Sequence, residues 1–345
     1  MTEAIQGQAA IDAALERAAA ALATAEKILI TCHLGPDGDS VGSMVALASL
    51  LRAQGKRATL YNPDLVPRRL KWMPLVRSLV HRLKSDSRYD VTVVVDCGDR
   101  KLLGPNFPKP EVTGTVVALD HHASTVPFGD VWVCDPGASC VGVLVARIAR
   151  HLGWPIATDA GVGMFVSLVT DTGSFRYSNT NAEALQLAAD LVEAGIDPWR
   201  ISEQMNERVP FSRYKLLSAV LAGMELCCDG VVCVMTITHE MIKAAGAAWD
   251  QTEGMVNYAR AIDGVDCGVL ITPAKRGGVR VSMRSKGHLV DAGKVCQELG
   301  GGGHVGAAGC TLQGTLPEAR ARVAEALTAA IARVRAEEAA AERTG

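Results

Sequence analysis

The sequence predicts an α/β protein with two domains: a parallel sheet with helices on both faces, followed by a smaller α/β domain. From Lys27 onward, short apolar runs alternate with helical segments, and nearly continuous apolar strands between helices are typical of a parallel sheet buried on both faces. The chain has 345 residues, of which 48% are hydrophobic and 21% charged. This composition supports a sizeable core, and the length corresponds to about two domains.

The elements of the first domain follow in chain order. The first residues lack both a basic leader and an uninterrupted apolar core, so they predict an amphipathic helix and not a signal peptide. Apolar runs bounded by turn residues predict strands at 27–32, 58–62, 91–96, 115–120 and 131–135. Apolar periodicity, with glycines at the expected C-terminal caps, predicts helices at 41–54, 138–153, 160–170 and 182–194.

A second pattern begins after an interruption at 196–213, where polar residues and two prolines break the periodicity. We therefore expect a metal-binding catalytic domain at 1–195, a linker at 196–213 and a substrate-binding domain at 214–345. The predicted elements beyond the first domain are helices at 212–226, 251–262, 289–299 and from 317 onward, and strands at 231–237, 267–273, 279–285 and 308–313.

Charge and composition exclude some classes of function. Lys and Arg total 35 against 37 Asp and Glu, and aromatic residues make up 4%, whereas a protein that coats long nucleic acid is usually strongly basic or rich in stacking side chains. Any anion must therefore be bound locally. The ten cysteines include no C-x-x-C pair, so we expect reduced, mostly buried thiols in a soluble cytoplasmic protein with no membrane partner.

Acidic residues and histidines cluster where the predicted strands of the first domain end, at the sheet edge where ligands bind in this architecture. Carboxylates so close together need cations to neutralise them. Four carboxylates match the charge of two divalent cations, and two imidazoles complete a mixed set that suits manganese, iron(II) or cobalt better than calcium. Such a pair of metals supports hydrolysis at phosphorus. The carboxylates are Asp37, Asp39, Asp96 and Asp171, and the imidazoles belong to His33 and His121.

The second domain carries a candidate anion-binding face. Residues 270–290 include five basic side chains, two of them Lys275 and Arg276, and no acidic one. Within 279–286, apolar residues alternate with polar and basic ones, which gives one apolar and one basic face. A nearby glycine run allows backbone N–H groups to approach an anion. The residues expected to contact substrate are Ser282, Arg284, Lys286, Gly302, Gly303 and His304.

These motifs resemble those of the DHH phosphoesterase family. The first-domain motifs are His33-x-x-Pro-Asp37-x-Asp39, Asp96, Asp120-His121-His122 and Asp171, and the run from Gly300 to Gly309 resembles the hallmark of the associated DHHA1 domain. The resemblance covers roughly residues 25–335 and is greatest to the NrnA-type branch of oligoribonucleases and pAp phosphatases. It implies an active site in the cleft between the two domains.

The resemblance also implies a role for each residue. His33, Asp37 and Asp96 would hold one manganese ion, while Asp39, Asp96, His121 and Asp171 would hold the other, so that Asp96 bridges them. Asp120 would orient an imidazole, and His122 would face the substrate phosphate.

The function expected from the sequence is manganese-dependent hydrolysis of short RNA or DNA oligonucleotides, pAp or other small nucleotides. The alternatives are a soluble cyclic-dinucleotide phosphodiesterase, a processive single-strand exonuclease and an inorganic pyrophosphatase. A nucleotide-binding regulatory protein is an alternative from a different class, but it would require the loss of ligands that are all present. The sequence leaves the substrate preference and the oligomeric state open, a homodimer included.

Overall fold

The computed structural model describes residues 7–123, 125–274 and 277–342. The chain divides into two compact units, Met1–Arg208 and Val209–Gly345. In the part of the chain that is described, no helix is both long and apolar enough to cross a membrane. The ten cysteines are free thiols, and eight of them are buried.

The first unit is built on a parallel sheet with the strand order β2–β1–β3–β4–β5. The strands are β1 (Lys27–Cys32), β2 (Arg57–Leu60), β3 (Val91–Val95), β4 (Thr115–Asp120) and β5 (Val131–Cys134). Every residue of β3 is buried, as expected for a central strand covered on both faces. The predicted parallel α/β fold is therefore confirmed.

Helices pack against this sheet. They are α1 (Gln8–Thr24), α2 (Gly38–Ala53), α3 (Pro110–Thr113), α4 (Val141–His151), α5 (Thr158–Asp171), α6 (Ala182–Glu193) and α7 (Pro198–Ser202). The amphipathic α1 buries Ile11, Leu15 and Leu22 in the main core. A π-helical turn at Glu203–Glu207 follows α7, so the segment predicted as a linker contains regular structure.

Two glycines bring α2 and α5 close together. A Cβ atom on Gly42 would lie 2.5 Å from the carbonyl oxygen of Gly163, and one on Gly163 would lie 2.5 Å from that of Gly42. Only glycine permits such an approach of two helix backbones. The first turn of α2 and the last turn of α5 carry candidate site residues, so this packing helps to position the site.

The second unit contains a mixed sheet in the order β10–β11–β9–β8–β7–β6, in which β7 and β8 are parallel and the other neighbours antiparallel. Its strands are β6 (Glu225–Cys227), β7 (Val232–Thr236), β8 (Cys267–Pro273), β9 (Val279–Ser285), β10 (Gly302–His304) and β11 (Ala307–Leu312). Its helices are α8 (Phe211–Ala222), α9 (His239–Ala245), α10 (Val256–Arg260), α11 (Ala292–Glu298) and α12 (Leu316–Glu342).

Some elements of the second unit differ from the sequence prediction. The helix predicted at 212–226 ends at Ala222, and its last residues form β6, which pairs with β7 through a turn with Cys228 and Asp229 at φ of 53° and 56°. The helix predicted at 251–262 is broken by Gly254, whose φ is 76°, so a 3₁₀ turn and the short α10 take its place. The elements α9 and β10 have no counterpart in the prediction.

Candidate metal centre

The loop between β1 and α2 places His33 and Asp37 side by side. Asp37 caps α2: its Oδ1 accepts a hydrogen bond from the Ser40 amide (3.0 Å), and the Asp37 amide donates to Ser40 Oγ (2.9 Å). This reciprocal cap starts the helix at Gly38, earlier than the predicted residue 41. His33 Nδ1 donates to the carbonyl oxygen of Leu34 (2.8 Å), so its Nε2 is directed towards Asp96 Oδ2 (3.4 Å) and Asp37 Oδ1 (4.0 Å).

Asp96 occupies the middle of the cluster. It follows β3, is 3% exposed and has a left-handed backbone with φ of 54°, a conformation that Asp tolerates better than most residues. Its Oδ2 faces His33, while its Oδ1 lies 4.0 Å from His121 Nε2 and 3.7 Å from His122 Nδ1. One carboxylate therefore faces two groups of potential ligands.

His121 directly follows β4, and its side chain contacts the residue that ends α5. Its Nδ1 donates to the carbonyl oxygen of Ala138 (3.1 Å), which fixes the ring so that Nε2 faces the carboxylates, as in many metal-binding histidines. Its Nε2 lies 3.0 Å from Asp171 Oδ2 and 3.6 Å from Asp39 Oδ2. Asp171 is the last residue of α5.

Asp39 is fully buried and is held by hydrogen bonds from three elements. Its Oδ1 accepts from Ser43 Oγ (3.1 Å) and from Ser167 Oγ, and its Oδ2 accepts from the Val141 amide (3.0 Å) at the start of α4. Ser167 in turn accepts from the Gly142 amide (2.9 Å). Ser167 could not be found from the sequence, because a single serine in an apolar helix carries no signal until the helix is packed against α2 and α4.

His122 lies next to His121 but has a different partner. Its Nδ1 donates to Asp120 Oδ1 (2.8 Å), and Asp120 is 1% exposed. Asp120 thus fixes the orientation of the His122 ring.

The charges of the cluster fit a cation. Burial, followed by the charge of Asp96, raises the pKa of Asp39 to about 7, and burial with the charge of Asp39 raises the pKa of Asp171 to about 6. Burial opposes protonation of His33, but the hydrogen bond and charge of Asp96 raise its pKa to about 10. Carboxylates that repel one another in a buried site are stabilised in their charged form by a divalent cation. The donor set of carboxylates and imidazoles therefore fits a metal.

Within the described residues, the potential ligand atoms form overlapping sets whose members lie within 4.8 Å of one another. There are three such sets among the described residues: His33, Asp37 and Asp96; Asp39, His121 and Asp171; and Asp96, His121 and His122. Asp96 and His121 each belong to two of them. The structure thus brings together all the first-domain residues singled out from the sequence, and it offers divalent metal ions a mixed nitrogen and oxygen environment.

In the second unit, β9 has the alternating faces expected from its sequence. Val279, Val281 and Met283 are buried, while Arg280 is exposed and Arg284 half-buried. Antiparallel pairing places Arg284 opposite Ala307, which is opposite His304. Directly paired residues point to the same face of a sheet, so Arg284 and His304 share one face with only a small side chain between them.

A second row on that face is formed by Ser282, Gly309 and Gly302. A Cβ atom on Gly302 would meet nothing within 4 Å, whereas one on Gly303, at φ of 140°, would lie 2.5 Å from the Ala307 carbonyl oxygen. Gly303 is therefore needed by the fold, whereas the space above Gly302 is open. Lys286 Nζ donates to the carbonyl oxygen of Ile262 (3.3 Å). The predicted basic residues 275 and 276 lie outside the described residues.

Family models and known proteins match the chain over most of its length. Residues 27–196 match the DHH family, N-terminal domain, and residues 230–335 match the DHHA1 domain. The bifunctional oligoribonuclease and PAP phosphatase NrnA of Thermus thermophilus is 32% identical over 302 residues, 87% of this chain and 89% of that protein. The protein of the same name from Bacillus subtilis is 22% identical over 83% of this chain and 90% of its own length.

Solved structures support the same relationship. An exopolyphosphatase-related protein from Bacteroides fragilis superimposes with a TM-score of 0.86 at 25% identity, covering 97% of this chain and all of that one. The fold, the acidic cluster and these relatives define a hydrolytic phosphoesterase with a site suited to divalent metals. The chain belongs to the DHH family and carries a DHHA1 domain in its second unit.

Proposed function

We propose that the chain is a manganese-dependent phosphohydrolase that cleaves short oligonucleotides to mononucleotides and removes the 3′-phosphate of pAp. The observation that carries this proposal is the pair of ligand sets that meet at Asp96, one with His33 and the other with His121. Relatives that cover more than four fifths of the chain are named oligoribonucleases and PAP phosphatases, which supports nucleotide substrates.

The metal ligands we propose are those that the family resemblance implies. His33, Asp37 and Asp96 hold one ion, and Asp39, Asp96, His121 and Asp171 hold the other. When bound, the two ions would supply an activated water and stabilise negative charge on the phosphoryl group. The protein orients the donors through His33 Nδ1, His121 Nδ1 and the hydrogen bonds to Asp39.

We assign His122 to the phosphate of the substrate. Its Nδ1 donates to Asp120 Oδ1, which holds the ring in one orientation, and we assign to Nε2 the hydrogen bond to a phosphate oxygen. Ser282, Arg284, Gly302 and His304 would contact a second phosphate or the nucleotide from their common face. Gly303 remains in this set as a prediction, although it pairs with Ala308 and so belongs to the opposite, buried face of the sheet. Lys286 remains in this set as a prediction, although its ammonium group contacts a backbone carbonyl.

The function is tested by assaying the purified protein with manganese against pAp, a 5′-phosphorylated dinucleotide, a longer oligonucleotide and a cyclic dinucleotide. Turnover of pAp and the dinucleotide is expected. Preferential cleavage of the cyclic dinucleotide would instead favour the phosphodiesterase alternative, and no turnover of any phosphoester would contradict the proposal.

Gly302 and Gly303 should respond differently to substitution by alanine. Gly302→Ala is expected to change stability by less than about 1 kcal/mol, because the added methyl group meets open space. It should nevertheless raise KM about tenfold, since the methyl group occupies the space of the substrate. Gly303→Ala is expected to cost about 1–3 kcal/mol of stability through overpacking against β11. Thermal unfolding and steady-state kinetics of both variants check this, and a wild-type KM for Gly302→Ala would show that substrate does not approach it.

Substrate length should matter. The chain has a net charge of −2 and 4% aromatic residues, so it has little to hold a long strand by many phosphate contacts and stacked bases. We expect kcat/KM for oligonucleotides of two to four residues to exceed that for a 20-mer by about tenfold, because a compact site gains nothing from the extra phosphates. Equal or higher kcat/KM on the 20-mer would contradict a compact site.

A further inference from the structure

A strongly basic segment lies between β2 and β3 of the first unit. Residues 68–88 contain seven Lys or Arg residues and a single acidic one, in a chain whose net charge is −2. None of these cations belongs to the ligand sets described above. A local excess of positive charge of this size, in a protein that handles phosphoesters, calls for a polyanionic partner.

Hydrogen bonds attach the residues just before this segment to the loop that carries His33 and Asp37. Asn62 Nδ2 donates to the carbonyl oxygen of His33 (2.8 Å), and Asp64 Oδ2 accepts from the Gly35 amide (2.9 Å). The turn at Arg68–Leu70 follows directly and is anchored by the fully buried Leu70. Arg68 and Arg69 belong to this turn, four and five residues after Asp64, so both lie a short stretch of chain from the loop that carries His33 and Asp37.

A second part of the basic segment reaches the same edge of the sheet. Tyr61 and Val80 form a parallel bridge beside β2, so the residues after Val80 emerge at the edge where β1 and β3 deliver His33 and Asp96. His81 Nδ1 donates to the carbonyl oxygen of Asn62 (2.8 Å), whose side chain contacts the His33 backbone. Arg82 comes next and is exposed, as is Arg68.

We propose that Arg68, Arg69 and Arg82 form a phosphate-binding flank beside the metal centre, which binds the part of a single-stranded oligonucleotide that is not being cleaved. The proposal rests on the proposed function and refines it: it makes an oligonucleotide, and not only pAp, a substrate to which the site is adapted. Three guanidinium groups next to one loop can hold only a few phosphates, so the expected preference for short over long strands is unchanged.

The chain offers a matched control in Arg77, which is exposed and belongs to the same segment. It lies in the turn at Val76–Ser78, directly after Leu75, and Leu75 lines a shallow cavity together with Thr158. Thr158 begins α5 and Asp171 ends it, so at 1.5 Å per residue this cavity lies about 20 Å from the metal centre.

The test compares the double variant Arg68→Ala/Arg82→Ala with Arg77→Ala. In the double variant, KM for a 5′-phosphorylated tetranucleotide should rise about tenfold, and at least about fivefold more than KM for pAp. The reason is that pAp carries a single phosphate besides the one that is cleaved, whereas the tetranucleotide offers the flank additional ones. The slope of log(kcat/KM) against log salt for the tetranucleotide should become shallower by roughly 1.4, about 0.7 for each lost contact with a single strand. Arg77→Ala should change none of these values.

Equal losses on pAp and the tetranucleotide, or a tetranucleotide KM that matches the Arg77→Ala control, would overturn the proposal. Failure of the proposed function is a separate outcome, in which the wild-type protein cleaves neither substrate. Binding of a fluorescent tetranucleotide, measured by anisotropy in an Asp96→Asn background, decides that case: weaker binding in the double variant supports the flank, and unchanged binding rejects it.

Discussion

Replacing Asp96 with Asn is expected to lower kcat/KM by about 1,000-fold or more, which corresponds to about 4 kcal/mol of transition-state stabilisation. Among the described residues, Asp96 is the carboxylate that faces both His33 and His121, through different oxygens, so its loss affects both proposed ions at once. Asn keeps the size of the side chain and tolerates the left-handed backbone at φ of 54°. The melting temperature measured without metal should therefore stay close to that of the wild type, and bound metal, measured after dialysis, should fall.

Asp96→Ala provides the comparison for backbone strain. Because alanine is less tolerant of positive φ than Asp or Asn, this variant is expected to lose about 1 kcal/mol of stability as well as activity.

Arg284→Ala is the control for substrate binding. Arg284 lies on the outward face of β9, so its loss should raise KM and leave metal content unchanged. Unchanged metal content in Asp96→Asn, or loss of metal in Arg284→Ala, would contradict this division of roles.

The sequence predicted the candidate metal centre because each residue follows an element whose position is dictated by a simple rule. Parallel strands deliver their carboxyl ends to one edge, so residues after β1, β3 and β4 had to approach one another, and the structure places His33, Asp96 and His121 within reach of shared carboxylates. The start of α2 was predicted three residues late, because the capping pair of Asp37 and Ser40 was not recognised.

The sequence predicted less where tertiary contacts decide the structure. The contribution of Ser167 to Asp39 depends on the close packing of α2 and α5 at Gly42 and Gly163, which no periodicity reveals. No strand was predicted in the glycine run, but Gly302–His304 pairs with β11 as a short strand. The basic residues at 68–88 can be read from the sequence, but their position beside the metal centre depends on tertiary contacts: the bridge between Tyr61 and Val80 and the hydrogen bond between Asp64 and Gly35.

Exhaustive removal of metal is expected to abolish turnover, and manganese should restore it far better than calcium. The reason is the composition of the site: His33 and His121 contribute nitrogen donors, whereas calcium is bound almost entirely by oxygen ligands in a larger coordination sphere. Activity after chelation, dialysis and addition of each ion in turn measures this effect. Full turnover in excess chelator after complete metal removal would contradict metal-dependent hydrolysis.

Stability provides a readout of metal binding that does not depend on turnover. In the metal-free protein, burial and mutual repulsion raise the pKa of Asp39 and Asp171, so cation binding removes an unfavourable interaction that exists only in the folded state. At a manganese concentration 100 times the dissociation constant of one site, binding at that site should increase stability by about 2.7 kcal/mol. For a folded unit of this size, that corresponds to a rise in melting temperature of roughly 5–10 °C.

The same titration on Asp96→Asn should give a much smaller rise, because that variant lacks the carboxylate that faces both ligand sets. A full rise in Asp96→Asn would place the stabilising metal elsewhere in the chain and contradict the assignment of Asp96.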